Sequence, residues 1–162
     1  MMPTTPSGLV SLPLKLTQDL ICACATFRTE VNAADAAAAA AFVFWDEAFV
    51  GNSRPWALIE DNDRTSVRSS TSSWMTQGVI LVQFEFAATF SGGTQDNEAA
   101  KIFRNKMGAI ESEMKAAILA SQSSYLEVNQ FDGPQCWPPR PKDNDGESFF
   151  SGMFQLHYRA LG

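Results

Sequence analysis

Residues 77–90 read QGVILVQFEFAATF. Ile80, Val82, Phe84, Phe86, Ala88 and Phe90 fall on one side of an extended chain, with Gln83, Glu85 and Thr89 on the other. That period belongs to a half-buried strand, one face turned to a core and the other to water or a partner. Ser91, Gly92 and Gly93 interrupt the pattern. Beyond them Phe103, Met107, Ile110, Met114 and Ala117 recur at spacings of four and three, the stripe of an amphipathic helix lying on the strand's apolar face. Thr94 reads as its N-cap, with Asp96 and Glu98 in a first turn where the helix dipole favours anions. The helix is expected to run to about Ala120, and Gly108 inside it suggests a close approach to the sheet.

Outward from this unit the chain supplies further elements. Leu16, Leu20, Ala23 and Phe27 form a helical stripe from Leu14 onward, with Pro13 suited to the first turn. Asn32 and Asp35 flank an alanine run of high helix propensity. Residues 42–50 read as an apolar strand or connector, and residues 55–61 as a strand opened by Pro55. Residues 125–131 and 149–161 are two more, the last with Phe150, Phe154, Leu156 and Tyr158 on one face. The expected fold is α+β, a four-stranded, mainly antiparallel sheet with helices packed on one face. Its core is expected to hold Phe84, Phe86, Phe103, Ile110, Met114, Phe154 and Leu156. Residues 1–9, with two prolines, are expected to be a flexible tail, and residues 10–162 one domain.

Composition narrows the function classes. The 162 residues include 45% hydrophobic side chains, twelve Phe and four Trp, enough for a core in one globular unit. A net charge of −6 opposes a nucleic-acid footprint, which needs clustered Lys and Arg. No apolar run is long enough to span a membrane, and no basic region precedes a hydrophobic stretch at the N-terminus, so the expectation is a soluble, unexported chain. Cys22, Cys24 and Cys136 make neither a zinc spacing nor an even disulfide set.

Catalytic and metal-binding patterns are weak. His157 stands alone as a histidine, sharing a strand face with Gln155 and Arg159, so no triad or histidine-based metal site can be assembled around it. Glu60, Asp61, Asn62 and Asp63 lack the spacing of a calcium loop and read as a charged strand end, while residues 143–147, DNDGE, read as a solvated turn. No cofactor, metal or enzymatic activity is expected. Surface features carry more. Residues 62–76 are rich in Ser, Thr and Asp, and residues 132–147 contain four prolines; both read as long loops. They carry Arg64, Arg68 and Trp74, and Trp137 and Arg140, residue types enriched at binding hot spots. These five are the candidate interface.

The order of elements resembles the small α+β proteins at the end of the tail tube of tailed bacteriophages, the tail terminator or tail completion class. The phrases RPWALIEDND, FRNKMGAIESEMKAAI, YLEVNQFDGP and FFSGMFQLHYRAL carry the likeness, over roughly residues 10–161. The alanine run and the proline-rich residues 133–141 depart from that pattern. The resemblance implies a virion subunit, assembled in the host cytoplasm, that forms a homo-oligomeric, hexameric ring. Its implied partners are tail-tube and connector proteins, with no sequence-specific nucleic acid and no membrane. A head-to-tail connector or neck subunit is the neighbouring alternative, and a small-ligand-binding α+β domain the alternative from another class.

Overall fold

The computed structural model describes residues 8–46, 54–68, 70–87, 97–120, 126–140 and 149–161. Helix α1 spans Gly8–Ala23, α2 Ala25–Glu30 and α3 Ala36–Ala39, followed by a 3-10 turn at Ala40–Phe42. Strands β1 (Val43–Trp45), β2 (Trp56–Arg68) and β3 (Trp74–Ala87) precede helix α4 (Asn97–Ala120), and β4 (Leu126–Arg140) and β5 (Phe149–Leu161) close the chain. The strands form one sheet in the order β1-β2-β3-β5-β4. Every neighbouring pair is antiparallel except β1 with β2. The α+β class holds, but the sheet is mixed and has five strands rather than four. The extra one is β1, three residues from the stretch that read as strand or connector, too short to show a period of its own.

Alternation places Ala57, Ile59, Ile80, Val82, Phe84, Phe86, Phe150, Phe154 and Leu156 on one face, all buried. Against it lie Ile21 and Phe27 of the first two helices and Phe103, Met107, Ile110 and Met114 of α4. All seven expected core residues are among these buried side chains. Phe84 is the hub, with ring centroids 5.6 Å from Phe27, 6.0 Å from Phe86 and 5.9 Å from Phe154, all edge-on. Such contacts add about 0.5–1.5 kcal/mol per pair beyond the area buried. Polar ties fix α4 to α2. Glu113 accepts from the Thr26 amide and hydroxyl at 3.3 and 3.0 Å, a carboxylate at a helix N-terminus, and Lys106 reaches Glu30 at 2.6 Å.

Several local expectations change. Helix α1 begins at Gly8, so Pro13 lies inside it; near the helix start a proline forfeits only one intrahelical bond. The alanine run forms the short α3, capped by Asp35, whose side chain accepts from the Ala38 amide at 2.8 Å. Residues 94–96, the expected start of α4, and the DNDGE turn lie outside the described residues. Gly108 does not touch the sheet: a Cβ there would meet nothing within 4 Å. The close approach is made by the strand instead, at Gly152, where a Cβ would lie 2.6 Å from Met107 Sδ and 3.2 Å from Phe103 Cζ. Helix α4 needs a glycine opposite its large side chains, not within itself.

Both expected long loops are largely strand. β2 continues to Arg68 and β3 starts at Trp74, and residues 70–73 are what remains of the loop among the described residues. From Asn62 on, β2 is exposed except at Arg64, so both faces are polar and the alternation that marks a strand disappears. Cross-strand pairs hold this ribbon together, Ser66 and Thr76 meeting hydroxyl to hydroxyl at 3.0 Å. β4 likewise runs on to Arg140 despite Pro134, Pro138 and Pro139. It is an edge strand with three register shifts, the setting in which proline's missing N–H is tolerated.

Candidate interaction surface

The five candidate residues do not form one patch. Arg64, Arg68 and Trp74 stand near the tip of the β2–β3 hairpin, where Arg68 pairs directly with Trp74. Trp137 pairs with Ser151 and Arg140 with Phe149, near the opposite end of the sheet. Met75 meets Leu161, so the two groups are separated by most of β5, about 30 Å at a strand's rise per residue. The side chain of Arg140 lies outside the described residues.

At the hairpin tip the arginines have structural work. Arg68 donates from Nε to the Ser70 carbonyl at 3.1 Å and from Nη2 to the Thr71 carbonyl at 2.9 Å. Ser70 and Ser73 share a hydroxyl contact of 2.7 Å, and the Ser72 amide donates to Ser70 Oγ. The turn is thus braced by its own polar groups. Trp74 is different. It is 52% exposed, and Val67, 49% exposed, lies on the neighbouring strand. An indole on a braced hairpin is a preorganised anchor, because little of its freedom remains to be lost on binding. Trp137, by contrast, is half-buried.

Inward from the tip lies a polar cluster that the sequence did not announce. Asn62 is an extra residue in β2, so the register shifts between Asp61 and Asp63. Asp61, before the shift, alternates with Ala57 and Ile59 and so turns toward the helices. Its Oδ1 and the Tyr158 hydroxyl are both buried, and neither has a well-aligned hydrogen-bond partner among the described residues. Arg64 approaches Asp61 Oδ2 only to 3.9 Å. Burial first, then Asp46 and Asp63, pushes the Asp61 carboxyl above its ordinary range, against the pull of Arg64 and Tyr158. Burial first and Asp61 second push Tyr158 up to about 12. A folded-state pKa raised for a carboxyl means that the ionised form opposes folding; stability from this group is present at low pH and lost as pH rises through the carboxylate range. Asp61→Asn is therefore expected to raise the urea midpoint at pH 7 and to flatten its dependence between pH 4 and 6. A lower midpoint at pH 7 would show that the ion pair to Arg64 outweighs the cost of burial.

The sheet face away from the helices divides into two zones. Toward β1, Trp56, Leu58, Glu85, Phe149 and Ser151 are buried, although Glu85 lies on the face expected to meet water or a partner. Arg54 accounts for the acid: its Nη2 lies 3.2 Å from Glu85 Oε1 and its guanidinium 3.7 Å from the Phe149 ring centroid. Toward the hairpin tip the same face is open and polar. Asp63, Thr65, Gln77, Gln130, His157 and Arg159 surround a shallow depression of about 210 Å³. His157 Nε2 meets Asp132 Oδ2 at 2.9 Å, and Gln130 Nε2 donates to both Asp132 oxygens. The Gln130 amide, then His157, hold the Asp132 carboxyl below its usual value. His157 is thus hydrogen-bonded on an open face, as its strand position suggested.

Cysteine chemistry is subdued. Burial raises the Cys22 thiol and takes Cys24 up to about 12, and Cys24 Sγ donates to the Leu20 carbonyl where α1 breaks into α2. Among the described residues no group of three or more His, Cys, Asp or Glu is placed to hold a metal ion. No described helix is long and apolar enough to cross a membrane. No protein-family model matches the chain, and no curated protein matches it in sequence.

Proposed function

We propose that the chain is a structural subunit of a bacteriophage virion, a tail terminator or tail completion protein that forms a ring at the head-proximal end of the tail tube. The observation that carries this reading is the braced β2–β3 hairpin with Trp74 exposed at its tip, together with the order of elements that resembles the class. A ring repeats one heterologous contact around an axis, and a rigid projecting hairpin is a means for one subunit to reach the next. The acidic balance suits a tube end through which DNA passes without being held. A small-ligand site finds less support. The depression between α4 and the sheet, near Phe86, Phe103 and Phe150, is about 200 Å³, below the usual size of a ligand cavity.

Native mass spectrometry of the full chain over a concentration series tests the reading, with a closed ring, hexameric by the resemblance, as the expected product. Trp74→Ala is expected to weaken that assembly by at least tenfold, about 1.4 kcal/mol per contact, while the thermal transition of the subunit moves little. Trp137→Ala, at a half-buried site, is expected to act more on stability than on assembly. Rings formed by Trp74→Ala with unchanged concentration dependence would remove the hairpin from the interface.

A further inference from the structure

Two rows of side chains cross the open sheet face side by side. Register sets Asp63, Val79, His157 and Gln130 in one row over β2, β3, β5 and β4, and Thr65, Gln77, Arg159 and Glu127 in the next. The depression of about 210 Å³ lies over these rows, and Asn129, the extra residue where the register of β4 shifts, joins its lining. Asp63 and His157 both pair with Val79, so their backbones stand two strand spacings apart, about 10 Å. The depression is thus a slot with Asp63 and Thr65 along one wall, His157 and Gln130 along the other, and Val79 between them.

Hydrogen bonding decides what these groups present. Asp132, held below its usual value, is ionised and can only accept. Gln130 therefore turns its NH2 to that carboxylate, at 2.9 and 3.1 Å, which leaves its Oε1 for another donor. His157 gives Asp132 the proton on Nε2, at 2.9 Å, which leaves Nδ1 an acceptor in the neutral ring. Arg159 spends Nη2 on Glu127 at 2.7 Å. Around His157 the charged groups are Asp63 and Glu60 of β2, Glu127 and Asp132 of β4 and Arg159 of β5, four carboxylates to one guanidinium. The slot is negative and rich in acceptors. We infer that it binds a guanidinium, the side chain of an arginine presented by a partner protein. A planar group with five donors meets acceptors on both walls at once, whereas a compact ammonium meets one. Val79 offers an apolar floor to the arginine methylenes. The volume suits one side chain rather than a whole small-molecule ligand. Trp74 takes no part, so this site stands apart from the ring contact.

The test uses the full chain, in which His157 is the single histidine, so its imidazole resonances report on the slot without ambiguity. Titration with a blocked glycine–arginine–glycine peptide at about 0.15 M ionic strength is expected to shift those resonances to saturation. The same peptide with citrulline, a neutral urea of the same shape, is expected to leave them in place, and spermidine, a free cation without a guanidinium, to bind about threefold or more weakly. Asp63→Asn and Gln130→Met, both at exposed positions, are each expected to weaken the arginine peptide about fivefold or more, with a thermal melt checking the fold. Glu98→Gln removes an exposed carboxylate on α4 and controls for net charge. Equal shifts from the citrulline peptide, spermidine binding as tightly as the arginine peptide, or Glu98→Gln weakening it as much as Asp63→Asn would each overturn the inference.

Discussion

Phe84→Ala is expected to cost about 3–5 kcal/mol in urea unfolding and to lower the thermal midpoint by about 10 °C for a chain of this size. The ring is fully buried, with three aromatic neighbours placed by α2, by β3 itself and by β5. Each neighbour is held by its own element, so the walls of the cavity cannot close over the missing ring. The cost then includes the cavity as well as the lost transfer energy. A loss below about 1 kcal/mol would mean that the helices do not close on this face of β3.

Gly78→Ala is expected to destabilise by about 1–3 kcal/mol, whereas Gly108→Ala should stabilise by about 0.5–1 kcal/mol. A Cβ at Gly78 would lie 2.5 Å from the Asp63 carbonyl oxygen and 2.5 Å from the Tyr158 hydroxyl. The first contact is backbone, at the bulge, and cannot turn aside as a side chain does. Tyr158 is the register partner of Gly78 and occupies the space a side chain would need. At Gly108 the helix has open space, so alanine only removes the entropic cost of glycine. Thermal unfolding of the two variants side by side reads the difference. Equal effects would mean that the bulge and the Tyr158 ring yield freely to a side chain at this position.

How much was legible follows from where burial produces a period. In β3, β5 and α4 one face is covered, so the apolar residues recur at two or at three and four, and the core can be read directly from residues such as Phe84, Ile110 and Phe154. Where both faces meet water, as in β2 from Asn62 to Arg68, the period vanishes and Ser, Thr and Asp read as loop. β4 is hidden for another reason, since its prolines are compatible with a strand only at an edge. Position at an edge is a property of sheet order.

The candidate residues divide the same way. Residue type marked Trp74, and its exposure makes it an anchor, but Arg68 proved to be a brace for its own turn and Trp137 lies about 30 Å away by strand length. By itself, then, the sequence determined the α+β class, the apolar faces, the long helix and the acidic balance, because these depend on local periodicity and on sums over residues. Only the tertiary structure decided the fifth strand, the register shift at Asn62, the pairing of Gly78 with Tyr158 and the place of β4 at an edge. Those depend on which strands lie side by side and in which register, and pairings between distant residues leave no local period in the chain.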